Sequence, residues 1–263
     1  MPLIEEMQAA GAWLFRWRSF LPLAAVLLIA IGLKDFAYPF GDHRWDQAWE
    51  MLCLLVSLLG LGTRIATAGF SAKHTSGRNT KRQAAETLNT TGMYSVVRNP
   101  LYLGNFLVGL GPALFLGVWW IPVIYSLVFA LYYERIILAE EVFLREKFGQ
   151  SFVRWASATP ALIPRVRRWT RPALRFNLRK ALRREYRTLL GIVVVFYILE
   201  TAGEFRLGHR LFADKFWNGI GIVGLAVFLT TRVLHKLTTV LEDRPGASIA
   251  PPGSCGSPTH PRR

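Results

Sequence analysis

Apolar positions in this chain gather in long blocks. Residues 99–133 carry not one charged side chain. A helix rises about 1.5 Å per residue and the hydrocarbon core takes roughly 20 apolar residues, so this block is too long for one span and suits two. Gly117 and Pro122 flank Trp119 and Trp120 near its middle, the residues of a turn at an aromatic interface. The block predicts a helical hairpin over 99–138, with spans at about 100–118 and 120–138. Further blocks at 20–33, reaching to Tyr38, and at 51–63, between Glu50 and Arg64, predict spans at about 20–38 and 48–68. Blocks at 189–199 and 217–231 predict a C-terminal pair of spans within 188–242, the first of them short and closely followed by Glu200 and Glu204. Backbone amides in lipid must bond within their own segment, so the spans are helices. The expected fold is all-α, a polytopic membrane bundle of about six transmembrane helices. Glu5 and Glu6 precede the first span and no small-x-small pattern follows Leu33, which predicts a retained helix in place of a cleaved signal.

Charge then orients the bundle. Arg64, Lys73, Arg78, Lys81, Arg82 and Arg98 face only Glu86 in one loop, and ten Lys or Arg face only Glu185 between 165 and 187. The alternate loops are balanced or acidic: Lys34 and Arg44 against Asp35, Asp42, Asp46 and Glu50; Arg206, Arg210 and Lys215 against Glu204 and Asp214. By the positive-inside rule both termini, with Arg16 and Arg18, and both basic loops are cytoplasmic. A net charge of +15 set beside apolar spans points to anionic lipid headgroups as partners and away from nucleic acid. After Pro172, Leu174, Leu178, Leu182 and Tyr186 recur at i+4 beside Arg175, Arg179, Arg183 and Arg187, which predicts a basic amphipathic helix at 165–187 lying on the membrane. Residues 243–263 are rich in Pro, Gly and Ser and read as a disordered tail. Cys53, inside the second span, reads as a small packing residue and Cys255 as part of the tail; without metal-ligand spacing, no metal site is expected.

Two patches at the predicted cytoplasmic face carry more polar chemistry than anchoring requires. The first includes Gly92, Tyr94, Arg98, Asn99, Pro100, Tyr102 and Gly104. Pro100 suits the first turn of a helix, which sets Arg98 and Asn99 at an N-terminus whose free N–H groups favour an anion. An interfacial anchor accounts for the same residues equally well. The second patch, at the end of the hairpin, holds Glu134, Arg135, Glu140 and Glu141. Carboxylates near lipid are costly unless they face the bundle interior or solvent, which makes these functional candidates. A helix that has left the membrane is the simpler account, and it suits Glu146 and Lys147 better than Glu140.

The two patches in order resemble the isoprenylcysteine carboxyl methyltransferase and phospholipid methyltransferase superfamily of membrane enzymes. Its pattern runs roughly G-x-Y-x-x-x-R-H-P-x-Y-x-G, a hairpin, then E-E-x-x-L-x-x-x-F-G-x-x-Y-x-x-Y. Here Gly92, Tyr94, Arg98, Pro100, Tyr102 and Gly104 match the first half, and Glu140, Glu141, Leu144, Phe148, Gly149, Phe152 and Trp155 the second. The resemblance covers residues 92–164 inside an expected catalytic core of 1–164. It implies S-adenosylmethionine bound at the cytoplasmic face by Gly92, Tyr94, Arg98, Asn99, Pro100, Tyr102, Gly104, Glu140 and Glu141, with a lipid or lipidated acceptor in the membrane. Asn99 stands where the family has His, so that position is a contact and not a titrating base. An anionic acceptor would be steered by Arg98 or Arg135; an amine would need Glu140 or Glu141 as base. Arg98, Arg135 and Glu140 are therefore the expected catalytic residues. Two other classes compete: an NADPH-dependent sterol-type membrane reductase and a non-catalytic lipid-binding protein.

Overall fold

A computed structural model describes residues 2–17, 21–36, 45–71, 87–208 and 215–237. The loops around Asp42 and Arg210, the basic loop residues Lys73, Arg78, Lys81 and Arg82, and the tail 243–263 lie outside the described residues. Among the described residues the regular structure is all helical: α1 (Leu3–Trp17), α2 (Leu21–Gly32), α3 (Asp46–Phe70), α4 (Met93–Val96), α5 (Pro100–Phe115), α6 (Trp120–Phe148), α7 (Gln150–Ala158), α8 (Leu178–Arg206) and α9 (Lys215–Leu237). The protein is a polytopic helical bundle. Of the six spans expected, α3, α6, α8 and α9 are long and apolar enough to cross a membrane. The others are shorter, α5 at 16 residues and α2 at 12, the latter ending in a 3₁₀ turn at Leu33–Asp35.

The hairpin forms where its composition requires. Gly117 takes a φ of +68°, a left-handed turn position that a side chain would strain, and Trp119 stands 79% exposed at the tip. An aromatic ladder ties α5 to α6: Phe106 packs on Tyr125 at 5.8 Å and Phe129 at 5.1 Å, and Tyr102 on Tyr133 at 4.5 Å between ring centroids.

Helices α3 and α5 approach closely through glycines. A Cβ on Gly60 would lie 2.6 Å from the Gly104 carbonyl, and one on Gly111 2.2 Å from Ser57 Oγ. Close backbone approach at small residues is how helices associate where lipid supplies no hydrophobic drive. Pro112 lies inside α5 and, lacking an N–H, leaves the Val108 carbonyl without its helical donor. Ser57 Oγ of α3 donates to that carbonyl at 2.9 Å, so the sequence that breaks the ladder also supplies its repair. At the far end of the bundle Trp217 Nε1 of α9 donates to Glu50 Oε2 of α3 at 2.8 Å, closing α9 onto the core.

Two expectations change. Residues 165–187 are not one helix lying on the membrane: 165–177 run irregularly apart from a 3₁₀ turn at Val166–Arg168, and the helix starts at Leu178, where Asn177 Oδ1 caps the Lys180 N–H at 3.0 Å. That helix then continues unbroken into the fifth span. The irregular segment spends its amides elsewhere: Arg165 N donates to Val96 O at 3.0 Å and Asn177 N to Gly69 O at 3.0 Å. The second change is α1, an amphipathic helix that the block pattern did not foretell. It packs on α6, accepting a hydrogen bond from Tyr132 Oη at the Leu14 carbonyl, 2.8 Å, with Gly11 against the Arg135 carbonyl.

Candidate active site

The first patch folds as a tight turn. Gly92 has φ +62° and leads into the single helical turn α4; Val97 is extended; Pro100 then opens α5. Both ends of this turn are held by residues 159–177, here termed the strap. Gly92 N donates to Thr170 O at 3.1 Å, Arg98 N to Pro160 O at 2.8 Å, and Ser95 Oγ accepts from Thr170 N at 3.0 Å. Asn99 Nδ2 donates to the Ala161 carbonyl at 3.1 Å, so its side chain is engaged in the turn's support. From α7, which follows the left-handed Gly149, Trp155 Nε1 donates to Tyr94 O at 3.1 Å.

This frame brings five of the expected residues together. Arg98 Nη1 forms an ion pair with Glu141 Oε1 at 2.9 Å, both side chains part-exposed at 20% and 27%. The Arg98 Nε is buried without a hydrogen-bond partner among the described residues. One helical turn deeper, Tyr102 Oη donates to Glu140 Oε1 at 2.7 Å. The Tyr94 hydroxyl lies near Glu140 and Arg184; burial pushes its pKa up to about 12, so at neutral pH it is an un-ionised donor. Two carboxylates, a guanidinium and two tyrosines thus meet where the turn abuts α6. Part-exposed ion pairs add little stability, so opening this one toward a polar ligand would cost little.

Other candidates are placed apart. Pro100 is buried at the helix start. Gly104 is turned toward α3, where a Cβ would lie 2.5 Å from Arg64 Cγ, so its part is in packing and in passage for Arg64. Arg135 belongs to the stretch of α6 that α1 covers, and among the described residues no hydrogen bond or ion pair joins it to Arg98, Glu140 or Glu141. Glu134 is exposed.

Behind the site lies a polar relay that sequence reasoning missed. Glu185, 1% exposed on α8, receives Arg64 Nε at 2.7 Å and Nη2 at 3.1 Å, with Thr188 Oγ1 at 3.0 Å. Arg64 Nη1 also donates to Asn105 Oδ1, which leaves the amide nitrogen of Asn105 to donate to Tyr133 Oη at 3.2 Å. The Tyr133 ring packs on Tyr102, the residue that holds Glu140. Two signals were available: Asn105 is polar inside a charge-free block, and Glu185 is the lone acid among ten bases.

This geometry sits on residues that match known proteins. Residues 51–151 match the model of the phospholipid methyltransferase family. The chain is 34% identical over 169 residues to the nickel-cobalt-cadmium resistance protein of Alcaligenes xylosoxydans xylosoxydans, covering 63% of this chain and 73% of that one. The chain belongs to the isoprenylcysteine carboxyl methyltransferase and phospholipid methyltransferase superfamily. It is also 38% identical over 129 residues to the cobalt-zinc-cadmium resistance protein of Cupriavidus metallidurans, 48% of this chain and 56% of that protein. It is 34% identical over 86 residues to the protein-S-isoprenylcysteine O-methyltransferase of Schizosaccharomyces pombe, 33% of this chain and 36% of that one. No solved structure matches the chain. The family match takes in most of α3, the turn, the hairpin and both glutamates; the strap, α8 and α9 lie beyond it.

Proposed function

We propose that this protein transfers a methyl group from S-adenosylmethionine to a lipid-like acceptor embedded in the membrane, at an anionic phosphate or carboxylate oxygen. The observation that carries the reading is the joining of the two motif halves into one site, Arg98 to Glu141 and Tyr102 to Glu140. The residues fit the cofactor. Arg98, with a buried Nε that lacks a partner, suits its carboxylate, and Glu141 suits its ammonium group or ribose hydroxyls. Gly92, Asn99 and Pro100 shape the turn that would hold it. When bound, S-adenosylmethionine supplies an electrophilic methyl on a sulfonium.

Most of the catalysis is positioning and fixed charge. Glu140, oriented by the Tyr102 hydroxyl, presents a negative charge that complements a cationic cofactor. Arg98 offers a counter-charge to an anionic acceptor. Arg135, set apart from the pair, acts at longer range by drawing anionic lipid toward this face. An acceptor that is already anionic suits the Arg98 counter-charge and asks no proton of Asn99, which has none to exchange. The charge of the loops supports a cytoplasmic side for both termini and the site, among anionic headgroups and away from nucleic acid.

Equilibrium binding to purified protein tests the cofactor: S-adenosylmethionine should bind, and binding of NADPH in its stead would favour a reductase. A labelled-methyl assay with extracted membrane lipids tests the acceptor, and label in an alkali-stable amine headgroup would refute an oxygen acceptor. A second reading is carried by the names of the two bacterial resistance proteins: the same transfer serves tolerance of cobalt, zinc, cadmium or nickel. Loss of the gene should then sensitise cells to these metals, and a Glu140→Gln copy should fail to restore growth.

A further inference from the structure

The inner side of the strap holds the site, and its outer side has a different chemistry. Between 159 and 177 there is no acidic residue. Arg165, Arg167, Arg168, Arg171 and Arg175 are exposed, and among them so are Ile163 at 80%, Val166 at 73%, Trp169 at 46% and Phe176 at 41%. Large apolar side chains interleaved with arginine are the composition of a segment that sits in the headgroup region, apolar bodies down and guanidinium groups out.

The strap also lies at the right height. Its Asn177 N bonds the Gly69 carbonyl in the last turn of α3, and Phe176 packs on Phe70 at 5.0 Å. Its first half is bonded to Arg98 and Asn99, immediately before α5, and α8 starts at its end. Three membrane helices thus begin or end at its level.

We infer that the strap docks on the anionic leaflet of the bilayer that the helices cross, and that acidic headgroups on its arginines hold the turn at 92–99 in its ligand-binding form. The docking follows from the strap alone; the link to cofactor rests on the methyltransferase reading. The coupling is physical. Hydrogen bonds from Gly92, Arg98, Asn99 and Thr170, with Ala173 N donating to Thr91 Oγ1 at 3.1 Å, join strap and turn into one unit. A strap drawn onto the surface keeps these bonds closed; one released from it lets them fray. By linkage, a ligand of the turn must in return raise the affinity for acidic lipid.

The test places the full chain in lipid nanodiscs of phosphatidylcholine alone or with about 30% phosphatidylglycerol, and reads hydrogen exchange at the Gly92, Arg98, Arg165 and Thr170 amides. These amides should exchange at least about fivefold faster in the neutral discs, with the amides of α5 unchanged. The triple variant Arg165→Gln, Arg167→Gln, Arg171→Gln should exchange at the neutral rate in both, and salt should reduce the difference. Equal exchange of the natural protein in the two lipids would overturn the proposal. Protection in neutral discs by added polyglutamate, with none from phosphatidylglycerol, would also overturn it by assigning the surface to an acidic protein. S-adenosylmethionine affinity in the same discs should weaken at least about fivefold without acidic lipid. Equal affinity there would refute the coupling. Failure to bind in any lipid would sink the methyltransferase reading, with the exchange result still deciding the docking.

Discussion

At the scale of single residues, the site depends on two charge-assisted contacts, each with its own consequence. Arg98→Ala and Glu141→Gln should each weaken S-adenosylmethionine binding about tenfold to a hundredfold, the worth of a lost charge-assisted bond, about 1.5–3 kcal/mol. Because the pair is part-exposed, helix content and membrane insertion should not change. Calorimetry on detergent-purified variants reads the first and circular dichroism the second; unchanged affinity in both variants would remove Arg98 and Glu141 from the site. The pH dependence follows from the neighbouring groups. Burial pushes the Tyr94 hydroxyl pKa up to about 12, far from neutrality, and Asn99 has no proton to lose. Burial raises the Glu141 pKa against the pull of Arg98, so with an anionic acceptor the methylation rate should fall only on the acid side, as that carboxylate takes up a proton, and should not climb between about pH 6.5 and 8.5 through loss of an acceptor proton. A rate that climbs through this window would indicate an amine acceptor losing its proton. The motif singled out Arg98, Tyr102, Glu140 and Glu141 as candidates, and the fold brings these four side chains together in pairs. It misled at Gly104, whose missing side chain is required by Gly60 and Arg64 of another helix.

At the scale of elements, the bundle is joined behind the site by the buried pair of Arg64 on α3 and Glu185 on α8. Such a pair is a poor source of stability but costly to break, because one charge is left alone away from water. Glu185→Ala should lower stability by about 3–5 kcal/mol, whereas the double change Arg64→Met with Glu185→Leu should restore most of the loss. Thermal unfolding in detergent measures both. A double variant no more stable than the single one would mean that the pair does not carry the contact between α3 and α8. The strap belongs to this scale as well. Its i+4 leucines and arginines suggested a helix over 165–187, yet Pro172, the Asn177 cap and the open donors and acceptors of the 92–98 turn draw residues 165–177 into irregular bonding. Local periodicity lost there to a tertiary partner far away in the chain.

For the whole molecule, orientation is the open variable that charge alone predicts. Cysteines placed near Asp42 and Arg210 should react with impermeant reagent from outside intact cells, and those near Lys81 and Arg175 should stay protected. The reverse labelling would move the site away from a cytosolic cofactor. Sequence by itself determined the all-helical class, the hairpin and the four long spans, because lipid admits few structures and a block of apolar residues declares its length. It also singled out the polar residues of the two patches as candidates. Tertiary structure alone decided which of them meet: that Arg98 takes Glu141 and Tyr102 takes Glu140, that Arg135 lies under α1, and that a glutamate from beyond the family match reaches the site through Arg64, Asn105 and Tyr133. The physical reason is that periodicity and composition act over a few neighbours in the chain. A hydrogen bond between α8 and α3 depends on two distant helices packing at one height and one rotation, and that is set by the whole core at once.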